Sequence, residues 1–330
     1  MIQKYVNNPK FEVKKVGESI EGRSISLLSI GTGKTDVFLW SQMHGDEPTA
    51  TQAIFDIFNL LTSNDFSKEK ETILKHVTLH FLPMLNPDGA EKYTRRNTLG
   101  IDINRDALRL QSPEGKTLKR IRDSLNADFG FNLHDQNIYY NAERTNKPAT
   151  ISYLAPAYNY EKDINQVRGN AMKIIVFMNN IIQKYAPGQV GRYNDAFEPR
   201  AFGDNIQKWG TSTILIESGG YKNDVEKYAR NVTDARVIKY IINTAHSYID
   251  QRIKFQNFGE NQSNSNNDSL QQKQQQKRDY TTIFKGKNAH ADDLRLRVFQ
   301  FYKPKSTTYS QGQDYFYKEF ASLEDLLTNV

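Results

Sequence analysis

Cysteine is absent from all 330 residues. That excludes disulfides and thiolate zinc sites, and it leaves His, Asp and Glu as the only side chains for a tightly held metal. Long apolar runs are also missing: nowhere do about 18 apolar residues follow one another, the length a membrane-crossing helix needs. The opening MIQKYVNNPKFEVKK has no apolar core of the secretory-leader kind. Absent too is any block of one charge. The 44 Lys and Arg are scattered among 38 Asp and Glu, for a net charge of +6. A nucleic-acid-binding face requires clustered cations, so no nucleic-acid partner is expected. The small surplus favours acidic partners at most, such as cell-wall polymer or an anionic lipid surface. Lack of cysteine suits the cytoplasm and the cell exterior equally. As written the chain is expected to be soluble and cytoplasmic, and periplasmic or secreted if a leader has been removed.

What is present is an alternation of short apolar strands and amphipathic helices over residues 1–255, the pattern of an α/β sheet protein. SISLLSIG and DVFLWSQ read as the first strands, followed by a helix over PTATQAIFDIFNLLTS. In that helix Pro48 suits the first turn, and Ile54, Ile57, Phe58 and Leu61 form one stripe. HVTLHFLPMLN, DFGFNLHD and TSTILIESGG read as further strands. EGKTLKRIRDSL, NQVRGNAMKIIVFMNNIIQKY and a closing region at 224–250 read as helices. Residues 256–279, rich in Gln, Asn and Ser, have almost nothing to bury and are expected to form a linker. Residues 280–330 are aromatic and partly alternating, which predicts a small β-rich appendage too short for a large core of its own.

Three polar clusters interrupt apolar runs where strands are expected to end. His44 and Glu47 follow DVFLWSQM, His134 follows DFGFNL, and Glu217 ends TSTILI. Sites in open α/β sheets form at the carboxyl ends of strands, so these segments are placed to converge. A His/Glu/His set is a known ligand set for zinc in hydrolases, with one position left for water. The metal lowers the pKa of that water, and a carboxylate takes its proton during attack on a carbonyl. On this reading His44, Glu47 and His134 are the ligands of one Zn2+ and Glu217 is the base. The developing oxyanion needs a cation, for which Arg95, Arg96 and Arg105 are candidates. The other four histidines, His76, His80, His246 and His290, read as structural or exposed.

HGDE, LNPDGAEKYTRRN, GIDINRD, LHD and ILIESGG occur in that order. Together with the lead-in VGESIEGRSISLLSIGTGK, they resemble the zinc metallocarboxypeptidases of the carboxypeptidase A type over residues 12–250. The resemblance implies a mixed, twisted central sheet with helices on both faces. It makes Asn104 and Arg105 the grip on the substrate's terminal carboxylate, and Asp102 the residue that orients His44. It favours Arg95 over Arg96 for the oxyanion, and it puts Tyr193 in the region of the tyrosine that covers the substrate. Asp106 stands where the family usually has Asn, and the segment 135–156 is distinctive; both bear on the preferred side chain. The implied activity is hydrolysis of an amide bond near a free C-terminus, in a peptide or cell-wall peptide. The alternatives are a zinc deacylase acting on small N-acyl amino acids and a non-catalytic protein that binds peptide or glycan.

Overall fold

The computed structural model describes residues 2–142 and 145–221. The closing helical region at 224–250, the linker at 256–279 and the appendage at 280–330 lie outside the described residues, as do His246 and His290. Helix α1 (Gln3–Val6) leads into strands β1 (Glu12–Glu18), β2 (Ser24–Gly31) and β3 (Thr35–Ser41). Helices α2 (Thr49–Thr62) and α3 (Ser67–His76) come before β4 (Val77–Leu82). Then follow α4 (Pro87–Lys92), a single 3-10 turn (Ile103–Arg105), α5 (Pro113–Leu125) and β5 (Phe129–Asp135). The described chain continues through β6 (Ile151–Leu154), α6 (Gln166–Ile182), β7 (Val190–Arg192), α7 (Phe202–Lys208) and β8 (Ser212–Ser218).

The strands form one sheet in the order β1-β2-β4-β3-β5-β8-β6-β7. Its centre, β4-β3-β5-β8, is parallel, and antiparallel pairs flank it on both sides. Burial follows position in the sheet. Every residue of β8 is buried, whereas the edge strand β1 is largely exposed and carries Glu12, Lys14, Lys15 and Glu18. Charge along an exposed edge discourages pairing with another chain. One face packs against α2 and α6, where Val37, Leu39, Phe131 and Ile214 meet Ile54, Phe58, Ile174 and Ile175. The other face carries Phe38 and Trp40 against Leu118 and Ile121 of α5 and Phe202 and Ile206 of α7. Helices therefore cover both faces of a mixed sheet, as expected.

The expected stripe of α2 is buried throughout, and the Pro48 carbonyl accepts the first helical bond from Gln52 N–H at 3.0 Å. Two expectations need correcting. SISLLSIG is the second strand rather than the first, because Glu12–Glu18 pairs along it. The alternation of that segment was masked by its charged, solvent-facing side chains. His76 closes α3 instead of lying in a strand, its ring nitrogen bonded to the Thr72 carbonyl at 2.7 Å. His80 does lie in β4, where it bridges Ser29 Oγ at 2.8 Å and Asp36 at 2.9 Å. The backbone around Ser29 is already spent in the β1-β2-β4 ladder. This serine–histidine–aspartate row is thus a staple across three strands.

Candidate metal centre

Strand β3 pairs with β4 on one side and β5 on the other, so the chain direction of travel reverses about β3. Clefts in open α/β sheets form at such a switch point, beyond the carboxyl ends of the strands. There, β3 ends at Ser41 and Gln42 takes a left-handed conformation (φ 50°), turning the chain out of the sheet. The Glu47 N–H then bonds the His44 carbonyl at 3.2 Å, which puts both side chains at the head of α2. His134 comes from the end of β5. Glu217 lies directly beside it in the β5-β8 register, and the two therefore project on one face.

The three predicted ligands meet. His44 Nδ1 lies 2.7 Å from Glu47 Oε1, and His134 Nδ1 lies 2.7 Å from Glu47 Oε2. One donor atom from each residue falls within 4.8 Å of the others, and all three residues are buried. Asp102 accepts from His44 Nε2 at 3.2 Å. This leaves the Nδ1 lone pair turned inward, towards the carboxylate. Two ring nitrogens and two carboxylate oxygens facing one another inside a protein are satisfied by ring protons or by a shared cation. The donor set therefore fits one divalent metal of the zinc type.

The electrostatics agree with that reading. Burial pushes the Glu47 carboxyl up, but His134 and His44 outweigh it and hold it well below the usual range. Burial lowers His44, yet the bonds to Asp102 and Glu47 win and raise it. For His134 burial wins, and its pKa falls. The two rings differ because His44 has a carboxylate on each nitrogen, whereas His134 Nε2 is buried without a partner among the described residues. Asp102 is held well below its ordinary value by His44, Arg95 and Arg105, against the effect of burial. Glu217 goes the other way. Burial first, then the nearby charges of Glu47 and Asp135, push it well above the carboxylate range. A carboxyl poised to hold a proton beside a ligand cluster has the character of a general acid and base.

The remaining motifs are the scaffold of this centre. Gly45 lies so close to α4 that a Cβ there would come within 1.9 Å of the Gly89 carbonyl carbon. HGDE and NPDG are thus packed backbone to backbone. Asn86 caps α4 by accepting from Gly89 N–H at 2.9 Å. Asp88 is fully buried and gathers Ser19 Oγ at 2.6 Å, Glu21 N–H at 3.0 Å and Arg23 at 2.7 Å. These contacts explain why the lead-in VGESIEGR belongs with NPDG.

Of the two arginines in RRN, Arg95 reaches the cluster, 3.1 Å from His44 Nδ1, 3.3 Å from Glu47 and 3.2 Å from Asp102. Arg96 turns away to the Gly100 carbonyl at 2.9 Å. Asn104 and Arg105 form the 3-10 turn beside Asp102. The Asn104 carboxamide oxygen accepts from Phe202 N–H at 3.0 Å, which orients the amide. Asp106 turns inward and binds Gln111 N–H, Ser112 N–H and Ser112 Oγ at 2.7–2.8 Å. Its difference from the family's Asn is therefore taken up by a loop. Tyr193 starts the loop after β7, partly buried, with its N–H on the Tyr153 carbonyl at 3.0 Å. Beyond Asp135 the distinctive segment exposes Ile138, Tyr139 and Tyr140.

Sequence reading missed Asp204, in the first turn of α7. Burial pushes its carboxyl up to about 7, with Glu198 adding to the rise and Arg105 opposing it. No motif marks it; it lies where α7 packs against the Asn104 turn. Because its folded pKa is raised, the stability it supports is complete below about pH 3.8 and is lost as pH rises through about 7. Between pH 5 and pH 8 the wild type should lose roughly 2–3 kcal/mol that Asp204→Asn does not lose. Urea unfolding of both proteins across that range tests this, and parallel curves would show that Asp204 ionises normally.

Comparison with known proteins adds to the geometry. The family model described as zinc carboxypeptidase matches residues 2–110. Carboxypeptidase E of Caenorhabditis elegans is 29% identical over 119 residues, 30% of this chain and 25% of that protein. Carboxypeptidase SOL1 of Arabidopsis thaliana is 28% identical over 121 residues, 31% of this chain and 24% of that protein. The matched stretch thus spans about a quarter of those two relatives. Among solved structures, a metallo-carboxypeptidase from Burkholderia cenocepacia is similar with TM-score 0.60 and 17% identity, over 75% of this chain and 67% of that one. Carboxypeptidase A of Helicoverpa armigera is similar with TM-score 0.56 and 18% identity, over 74% of this chain and 70% of that one. At these identities the two structures establish a shared carboxypeptidase A-like fold. That likeness extends far beyond residue 110, where the family match ends and before His134 and Glu217.

Proposed function

From the zinc carboxypeptidase match over residues 2–110 and the shared fold, we propose that the chain is a zinc-dependent hydrolase of that family, cleaving a peptide bond next to a free C-terminal carboxylate. One observation carries the reading: His44, Glu47 and His134 converge at the switch point with Glu217 beside them.

His44, Glu47 and His134 would hold a single Zn2+. When bound, the metal supplies Lewis acidity and lowers the pKa of a water molecule. Asp102 keeps the His44 ring in place through Nε2, the usual support for a metal-binding imidazole. Glu217 takes the proton from the attacking water and delivers it to the leaving amine, which suits a carboxyl with a raised pKa. Arg95 approaches the ligand cluster from the solvent side and supplies the positive charge for the developing oxyanion. The Asn104 carboxamide and the Arg105 guanidinium bind the substrate carboxylate, a group that arginine matches with paired hydrogen bonds. Tyr193 is assigned to the wall of the substrate cleft. The substrate is a peptide or a cell-wall stem peptide.

N-benzoylglycyl dipeptides ending in Phe, Lys or Glu, each as free acid and as carboxamide, would test the proposal alongside N-acetyl amino acids. The zinc-loaded protein should cleave free acids at least about a hundredfold better than carboxamides, and Arg105→Ala should erase most of that preference. Cleavage of N-acetyl amino acids alone would favour a deacylase. Ligand binding without turnover by the zinc-loaded protein would favour a non-catalytic role.

A further inference from the structure

Arg105 does not stand alone. Its Nε lies 3.5 Å from Glu198 Oε2, and its NH1 donates to the Asn104 carbonyl at 2.7 Å. Glu198 is itself held firmly. Arg200 Nε donates to Oε1 and Arg200 NH2 to Oε2, both at 2.8 Å, and Arg200 N–H adds a bond to Oε1 at 3.2 Å. This bidentate pairing keeps the Glu198 carboxyl at about 2. The backbone under it is pinned as well, because Glu198 N–H donates to Asp204 at 3.0 Å.

The segment that carries these residues is fastened to the Asn104–Arg105 turn at two further points. Ala107 N–H bonds the Arg200 carbonyl at 3.1 Å, and Phe202 N–H bonds the Asn104 side chain at 3.0 Å. We propose that Glu198, clamped by Arg200, is a positioning residue that sets the direction in which Arg105 presents its guanidinium to the substrate carboxylate. The inference rests on the reading of Arg105 as the carboxylate grip.

The alternative for a carboxylate beside a substrate-binding arginine is competition, with Glu198 occupying the cation that the substrate needs. Geometry argues for positioning. Both Glu198 oxygens are spent at 2.8 Å on Arg200, whereas Arg105 is touched at 3.5 Å and only on Nε. The terminal edge of the guanidinium keeps NH2, and the second hydrogen of NH1, for a ligand. An arginine with four bonds between its charge and its backbone otherwise samples many rotamers, so fixing its inner edge removes freedom that binding would have to remove.

The two ideas predict opposite signs. If Glu198 positions Arg105, Glu198→Ala raises KM for a free-acid peptide about tenfold, with a smaller fall in kcat, and shrinks the acid-over-carboxamide preference. Arg200→Ala, which leaves the carboxylate in place but unclamps it, moves both quantities the same way, and the double variant is no worse than Glu198→Ala alone. Glu198→Gln keeps an acceptor for Arg105 Nε and restores part of the loss. Carboxamide substrates, which offer Arg105 no charge, show little change in KM.

These measurements use the zinc-loaded full chain and N-benzoylglycyl dipeptides as free acids and carboxamides, with thermal melting to check folding. Unchanged or lower KM in Glu198→Ala and Arg200→Ala overturns the inference. Arg105→Ala separates that failure from a failure of the underlying reading. If Arg105→Ala removes the acid preference while the Glu198 and Arg200 variants keep it, only positioning is wrong. If Arg105→Ala keeps the preference, the carboxylate grip is elsewhere and both fall. Should Glu198→Ala not fold, Arg200→Ala and Glu198→Gln carry the same comparison.

Discussion

Glu217→Gln should lower kcat by at least about a thousandfold while one zinc per chain stays bound. The substitution is nearly isosteric and leaves His44, Glu47 and His134 untouched, so the ligand set keeps its geometry. What is lost is the ability to accept and return a proton. Glu217 lies beside His134 in the strand register, is buried, and has its pKa raised by burial and by the charges of Glu47 and Asp135. A cation among the ligands cancels the Glu47 charge, the second cause of that rise, and so brings the carboxyl back toward the working range of a base. Metal content by mass spectrometry and turnover on a free-acid dipeptide make the check. A variant retaining a tenth of wild-type turnover would remove Glu217 from the chemistry. A variant that loses its zinc would make it a ligand or a support. His134→Ala is the companion: it should lose the metal and the activity together.

Gly45→Ala is expected to be among the most damaging small substitutions in the described chain, and the one that strikes the metal centre. Its new Cβ would lie 1.9 Å from the Gly89 carbonyl carbon and 2.3 Å from Ala90 N. Both are backbone atoms of α4, which Asn86 and Asp88 hold in place, so no side chain can swing away. Overpacking of this kind typically costs 1–3 kcal/mol, and a backbone-to-backbone clash belongs at about 3 kcal/mol or above. The displaced residue sits between His44 and Glu47, so zinc affinity should fall by about tenfold or more. Gly100→Ala is the control, since it has a positive φ of 74° but nothing within 4 Å of its Cβ. Urea unfolding and zinc titration of both variants decide the matter. If Gly45→Ala is no less stable than Gly100→Ala, the two motifs are not packed as tightly as described.

The residues of the metal centre were legible in the sequence because each breaks an apolar run with a buried charge. His44, Glu47, His134 and Glu217 all follow or end a hydrophobic strand, and the fold brings those strand ends together. The central strands were legible for the same reason, being apolar on both faces. The edge strand β1 was not, since EVKKVGE alternates weakly and carries charge on a solvent-facing surface. Neither were the short strands β6 and β7, which are 4 and 3 residues long and give no period to read. Residue type could not tell Arg95 from Arg96; the family resemblance favoured Arg95, and it is Arg96 that turns away to Gly100. Glu198, Arg200 and Asp204 were invisible because their importance comes entirely from contacts with a turn about a hundred residues earlier. Asp88 stands unmarked within LNPDG, and its burial under three donors emerges only in three dimensions.

That last group has a consequence for local unfolding. A turn beside an exposed edge strand usually opens easily, because few buried contacts hold it. Here, opening Ser19–Arg23 would strip Asp88 of two side-chain donors and a backbone N–H inside the protein, leaving a bare charge in a site with no exposure. Such an opening is as costly as disrupting the interior itself. Residue 88 is followed by Gly89, which bears on Gly45, which separates His44 from Glu47. The periphery of the sheet and the floor of the metal centre should therefore belong to one cooperative unit, melting together rather than fraying from the edge inward.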